Sequence, residues 1–178
     1  HESHEIRRRT LGPDHPEYAR ALHNIATILT SHGQYTHAEP LYREALEIWR
    51  RSVGINHPDY ALTLNNLAAL LHNSGQQAAA EPVLLEAIEI TARILGQEHP
   101  RYRILLANLA ALNQSLGRPE AARKYIQQAL EVEQRLLDQV FGFTSERGML
   151  AFTASLQPVL AELLSLTNVQ DDDVAAEL

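Results

Sequence analysis

The chain has 178 residues, 45% of them hydrophobic, enough for one domain with a sizeable core, and an aromatic content of only 6% suits close-packed helices better than a β-sandwich. A formal net charge of −7 leaves no basic face for a phosphate backbone and argues against nucleic-acid binding, while the lack of cysteine excludes a disulfide framework, a Cys-containing zinc site and a cysteine nucleophile. No apolar run reaches the roughly 18 residues that cross a bilayer, and His1 to Arg9 is too polar for a secretory leader, so the expectation is a soluble, cytoplasmic chain without membrane contact.

The sequence is periodic. His15-Pro16, His57-Pro58 and His99-Pro100 recur at a spacing of 42, and the same spacing carries Tyr18, Tyr60 and Tyr102, Asn24, Asn66 and Asn108, and Gly33, Gly75 and Gly117. Residues 15–56 and 57–98 are identical at 19 of 42 positions, which marks a duplication. Internal repeats of this length signal stacked supersecondary units.

In chain order, Glu5-Ile6-Arg7-Arg8-Arg9-Thr10-Leu11-Gly12 aligns with Glu47 to Gly54, so residues 1–12 are predicted to be the end of a truncated preceding repeat. A first helix is predicted from about Pro16 to about His32, because Tyr18, Leu22, Ile25, Ala26 and Leu29 form one apolar stripe. Proline in its first turn follows a polar residue able to cap, and Gly33 supplies a left-handed stop. A second helix, from Tyr35 to about Ser52, carries the stripe Tyr35, Ala38, Leu41, Tyr42, Ala45, Ile48 and Trp49 and ends at Val53-Gly54. Recurring Ala26, Ala38 and Ala45 predict close interhelical packing. The pattern gives three units, at about 13–54, 55–96 and 97–138. One hairpin cannot bury both of its faces, so the units must stack.

Leu22, Ile25, Ala26, Leu29, Ala38, Tyr42 and Ala45 fit the spacing of tetratricopeptide repeats. The usual unit of that family is shorter, about 34 residues. The longer unit, with Leu11-Gly12-Pro13-Asp14-His15-Pro16 and Leu64-Asn65-Asn66-Leu67-Ala68, resembles the variety found in kinesin light chains and many bacterial proteins. The resemblance implies an all-α fold, a right-handed solenoid of antiparallel helix hairpins closed by a C-terminal capping helix.

After Leu137 the period breaks. Residues 139–168 are predicted to form a capping or linker segment, with Phe141 and Phe143 followed by a helix from Ser145 to about Leu166 that Pro158 would kink, and residues 169–178 an acidic flexible tail. The stretch from Val140 to Arg147 resembles the segment that joins such repeats to a caspase-like CHAT protease domain in bacterial proteins, which implies a regulatory role in a longer chain.

Nine histidines invite a metal reading, but His15, His57 and His99 occupy equivalent turns that stacking holds apart, so capping and packing are expected of them and no metal or cofactor is. No nucleophile stands beside a base, and Glu44, Glu86, Glu47, Glu89 and Glu131 read as solvated helix faces, so no enzymatic activity is expected.

Asn24, Asn66 and Asn108 lie mid-helix, where asparagine has poor propensity and needs another reason to be present. Two readings stay open: each amide bonds to a neighbouring helix or turn, or, as the family resemblance implies, each faces a concave groove and holds an extended peptide backbone. The same resemblance places Arg20, His23 and Thr27, then Leu62, Asn65, Ala69 and His72, then Ile104, Ala107, Ala111 and Gln114 along that groove. One arginine among neutral groups suits amide contacts and shallow apolar pockets at Leu62 and Ile104 better than a clamp for a carboxylate. The function expected is therefore a scaffold for a protein or peptide, with self-association through the truncated N-terminal face or the C-terminal helix as an alternative.

Overall fold

The computed structural model describes residues 14–141, which form α1 (Pro16–Ser31), α2 (Tyr35–Ser52), α3 (Pro58–Asn73), α4 (Gln77–Leu95), α5 (Pro100–Ser115) and α6 (Pro119–Phe141), with no strand in that span. The truncated repeat end at 1–12, the helix expected from Ser145 and the acidic tail lie outside the described residues. The chain divides into two compact units, residues 1–97 with α1 to α4 and residues 98–178 with α5 and α6.

The odd-numbered helices begin alike. His15, His57 and His99 are extended, and the side-chain Nδ1 of each accepts a hydrogen bond from the amide two residues on, at 3.1, 3.2 and 3.1 Å. Proline follows in each case, where its missing N–H leaves no intrahelical bond unmade. The expected capping histidines are thus in place. His57 also stacks on Trp49, with ring centroids 5.5 Å apart and planes 11° from parallel.

At the far end of α1, the amide of Gln34 bonds to the Leu29 carbonyl at 2.9 Å and that of Gly33 to Thr30 at 3.0 Å, closing the last turn. That closure needs the left-handed backbone of Gly33, φ +71°, which a residue with a Cβ adopts only at a cost. Pro40 and Pro82 sit at one register inside α2 and α4 and are solvent-exposed, yet neither ends its helix.

In the first unit, α1 packs on α2, α3 on α4, and α2 on α3. The interfaces are tight because they are built on alanine: Ala26, Ala38, Ala45 and Ala87 are fully buried. Around them lie Tyr18, Leu22, Tyr42, Ile48, Trp49, Tyr60, Leu67 and Ile90. Tyr18 donates to Glu44 at 3.3 Å and Tyr60 to Glu86 at 3.2 Å, the same bond one repeat apart. The two glutamates, expected as solvated faces, are exposed but also tie each helix pair together.

In the second unit, α5 packs on α6 through Leu105, Leu106, Leu109, Ala110, Ala122, Ala129 and Val132. Arg103 and Glu133 form an ion pair at 2.6 Å. Asn113, where the earlier repeats hold Leu29 and Leu71, is buried and donates to the Leu109 carbonyl of its own helix at 2.8 Å.

One register departs from the repeat. Leu70 and Leu112 are 0% and 1% exposed, whereas Ile28 at the equivalent position of α1 is 59% exposed.

Candidate functional site

Successive residues on one face of a helix recur at i, i+3, i+4 and i+7. In α1 that spacing gathers Arg20, His23, Asn24 and Thr27, and in α3 Leu62, Asn65, Asn66 and Ala69, with His72 one turn further. Arg20, Asn24, Thr27 and Ala69 are exposed, and His23, Leu62, Asn65, Asn66 and His72 are half-buried. The face is therefore wet at its rim and partly desolvated along the line where α1 and α3 meet.

A cavity of about 160 Å³ opens on this line, walled by Arg20, His23, Asn24, Asp59, Leu62 and Thr63, with Trp49 of α2 beside them. That volume suits one side chain, since an engineered cavity of about 150 Å³ holds a benzene ring. Arg20 bonds Glu17 at 2.8 Å and reaches Asp59 at 3.5 Å, so its charge is already engaged by two carboxylates. Trp49 is 1% exposed, and its indole N–H has no acceptor among the described residues. An orphaned buried donor of this kind costs about 1–3 kcal/mol.

Below the rim the polar groups form a chain. Thr63 donates to the Asp59 carbonyl at 2.7 Å, His23 Nδ1 lies 3.0 Å from Thr63 Oγ1, His23 Nε2 lies 3.4 Å from Asn66 Nδ2, and Asn65 donates to Asn66 Oδ1 at 3.3 Å. On its other side the His23 ring meets Tyr42 edge-on, centroids 5.7 Å apart, and Thr27 contacts the Tyr42 hydroxyl at 3.0 Å. Burial lowers the pKa of His23 below 6.5, and the nearby Asp59 carboxylate works against that shift. A threonine hydroxyl against an imidazole has the parts of a nucleophile and base, but the Thr63 hydroxyl is buried and donates its proton to the Asp59 carbonyl rather than to His23. No group of three metal-ligating side chains occurs among the described residues.

Of the two readings of the asparagines, the bond to a neighbouring helix is present at Asn66, through His23 of α1. Asn24 is exposed. In the second unit Ile104 is 45% exposed, Ala107, Ala111 and Gln114 are exposed, and Asn108 is half-buried.

Asp59, Thr63, Tyr42 and Trp49 take part in this site although sequence reasoning did not select them. Thr63 carried a signal, being polar where the other repeats place Ala21 and Leu105, and so did Trp49, an indole where they place Thr91 and Glu133. The partners of His23 lie up to 43 residues away, and only the packing of α1 on α3 brings them together.

Two tetratricopeptide repeat models match the sequence, one over residues 1–17 and 19–59 and the other over 59–135. No curated protein matches it. Among solved structures the chain is similar to BtubC (BKLC) from P. vanneervenii, with a TM-score of 0.74 and 22% identity over 92% of this chain. It spans 61% of that protein's length. It is also similar to a kinesin light chain-like protein of Podosopora anserina with nearly identical TPR-like repeats, with a TM-score of 0.62 and 22% identity over 89% of this chain and 77% of that one. At such identities the likeness speaks to the fold alone.

Proposed function

The chain belongs to the tetratricopeptide repeat family, whose repeats generally mediate protein–protein interaction, and from that premise we propose that it is a non-catalytic scaffold that holds an extended segment of a partner protein. In the first unit the contact surface is the face of α1 and α3 bearing Arg20, His23, Asn24, Thr27, Leu62, Asn65, Asn66, Ala69 and His72; in the second unit, taken by itself, Ile104 and Asn108 hold the equivalent repeat positions on α5. One observation carries this reading: the exposed Asn24 lines a cavity of about 160 Å³ sized for one side chain, and the half-buried Asn66 reaches His23 on the wall of that cavity. An amide offers both a donor and an acceptor, which is what an extended backbone requires, and the adjoining pocket takes an alternate side chain. We also assign the protein to the cytoplasm, with no cofactor and no nucleic-acid or membrane partner. Among the described residues no helix is long and apolar enough to cross a membrane.

The test is capture of a partner from lysate of the source cells by the parent and by Asn66→Ala, with circular dichroism on both. A partner held by the parent and lost by an equally helical mutant is the expected result. Retention unchanged in the mutant sinks the site assignment.

A second reading, self-association, is favoured by Ile28, exposed where its repeat equivalents Leu70 and Leu112 are buried. An apolar face of this kind is a candidate interface between copies. Sedimentation should then show a mass that rises with concentration and reverts to monomer in Ile28→Glu, while a strict monomer at high concentration removes the reading. Of the segment 140–147, whose resemblance implies a regulatory role, all but Val140 and Phe141 at the end of α6 lies outside the described residues. Sequencing the gene beyond residue 178 decides it, since a caspase-like domain would have to follow.

A further inference from the structure

The direction of every hydrogen bond around His23 can be worked out from one fixed point. The Asp59 carbonyl only accepts, so the Thr63 hydroxyl spends its single proton there, at 2.7 Å. Thr63 Oγ1 then has only lone pairs left for His23 Nδ1, 3.0 Å away, and Nδ1 must carry the hydrogen. In a neutral imidazole the other nitrogen, Nε2, is then a bare acceptor. The group facing it at 3.4 Å must therefore be the amide nitrogen of Asn66, which turns Asn66 Oδ1 toward Asn65, whose own nitrogen donates to it at 3.3 Å. A backbone carbonyl in α3 thus dictates, through one histidine of α1, which way two half-buried amides are turned.

We propose that His23 is a positioning residue that sets the donor and acceptor order of the Asn65–Asn66 amide pair, and that a second proton on its imidazole reverses that order. The imidazolium donates from both nitrogens. Its Nδ1 bond to Thr63 is unaffected, but its new Nε2–H meets the N–H of Asn66, and two donors repel. Rotating the Asn66 amide by half a turn presents Oδ1 to the imidazolium and sends its nitrogen toward Asn65, which must turn in the same way. Both rotations keep every atom in place apart from the exchange of oxygen and nitrogen, so the reversal needs no backbone movement.

The charged and titratable groups facing His23 are Arg20 on its own helix, which repels the imidazolium, Asp59 on α3, which attracts it, and Tyr42 on α2, whose ring edge it meets. Arg20 and Asp59 are themselves paired at 3.5 Å, and of the two it is Asp59 that prevails at the ring, favouring its charged form against the effect of burial. The consequence for a bound peptide rests on the groove reading above; the orientation of the amides does not.

Nitrogen-15 NMR of the full chain tests the orientation first. At about pH 8, His23 should show the Nδ1–H tautomer, and on acidification to about pH 5 the side-chain amide resonances of Asn66 and Asn65 should move with the same midpoint as the imidazole. Asn66→Asp, which can only accept, should raise that midpoint, and His23→Phe, which keeps the ring against Tyr42, should abolish the titration of both amides. An Nε2–H tautomer in the neutral protein, or amide resonances that ignore the titration of His23, overturns the proposal even if one variant fails to fold. Acetyl-tetraalanine amide, a probe with a peptide backbone and no distinctive side chain, then reports on the groove: its affinity should differ about threefold to tenfold between the two pH values in the parent and not in His23→Phe. Coupled titration of the amides with no shift from the probe at either pH would leave the positioning role standing and remove the groove reading, whereas binding that is equal at both pH values while the amides do reverse would remove the claim that the reversal matters to a ligand.

Discussion

Histidine is an uncommon helix cap, and here an imidazole lone pair does the work usually given to a hydroxyl or carboxylate oxygen. The three caps are chemically alike, but only His57 also stacks on an indole, because Trp49 is replaced by Thr91 in the next repeat. His99→Ala should therefore cost the cap alone, about 1 kcal/mol, and His57→Ala about 1.5–2.5 kcal/mol, by chemical denaturation. Equal losses would mean that the stacking contributes nothing. His23 makes a different contribution. Its pKa is lowered in the folded protein, chiefly by burial, so the unfolded chain takes up the proton more readily. Stability should then be full above pH 6.5, fall as pH drops through 6.5, and level off only when the folded imidazole also becomes charged. His23→Phe should flatten that part of the profile, and a slope unchanged in the variant would assign it to other groups.

At the scale of the helix, what could be read in the sequence was whatever chemistry acts locally. A cap needs a particular residue at the helix start and a left-handed stop needs glycine, so the starts at His15, His57 and His99 and the stop at Gly33 could be read directly, and the first helix came out one residue longer than the observed Pro16–Ser31. The alanines of the packing seams were legible for the same reason, since their small size is itself the message. What could not be read was any contact whose partners lie on different helices. The Tyr18–Glu44 and Tyr60–Glu86 bonds span 26 residues, and glutamates that look merely solvated turn out to be acceptors. Departures from the repeat are the exception, because they stand out against their equivalents. Asn113 is one: a buried amide in a leucine position, satisfied at its nitrogen by its own helix. Asn113→Leu should raise stability by about 1 kcal/mol by removing the desolvation of the amide and filling the register as Leu29 and Leu71 do. A loss of stability on denaturation would show instead that the amide holds α5 in place.

At the scale of the whole chain, the 42-residue period fixes the fold class, while the candidate site hangs on deviations from it: Thr63 in an alanine or leucine register, and His23, matched by Asn65 and Ala107 in the other repeats. An ideal repeat would have neither, and a reader of the period alone would place a uniform row of amides where the structure has one imidazole-centred cluster in the first unit. The fold of such a molecule is thus written in what is repeated, and the His23 cluster in what is not.

The histidine-proline start of each odd-numbered helix has a further meaning. Since cap, proline, glycine stop and packing alanines all recur in step, a cut just before any His-Pro falls between equivalent modules. A copy of residues 15–56 spliced in after residue 56 would present Trp49 to the following His57 as the original does, and would receive its own His15 in the place where a capping histidine is expected. The joint is thus a natural point of recombination, at which the array can lengthen or shorten by whole modules, with the residues of each module travelling together.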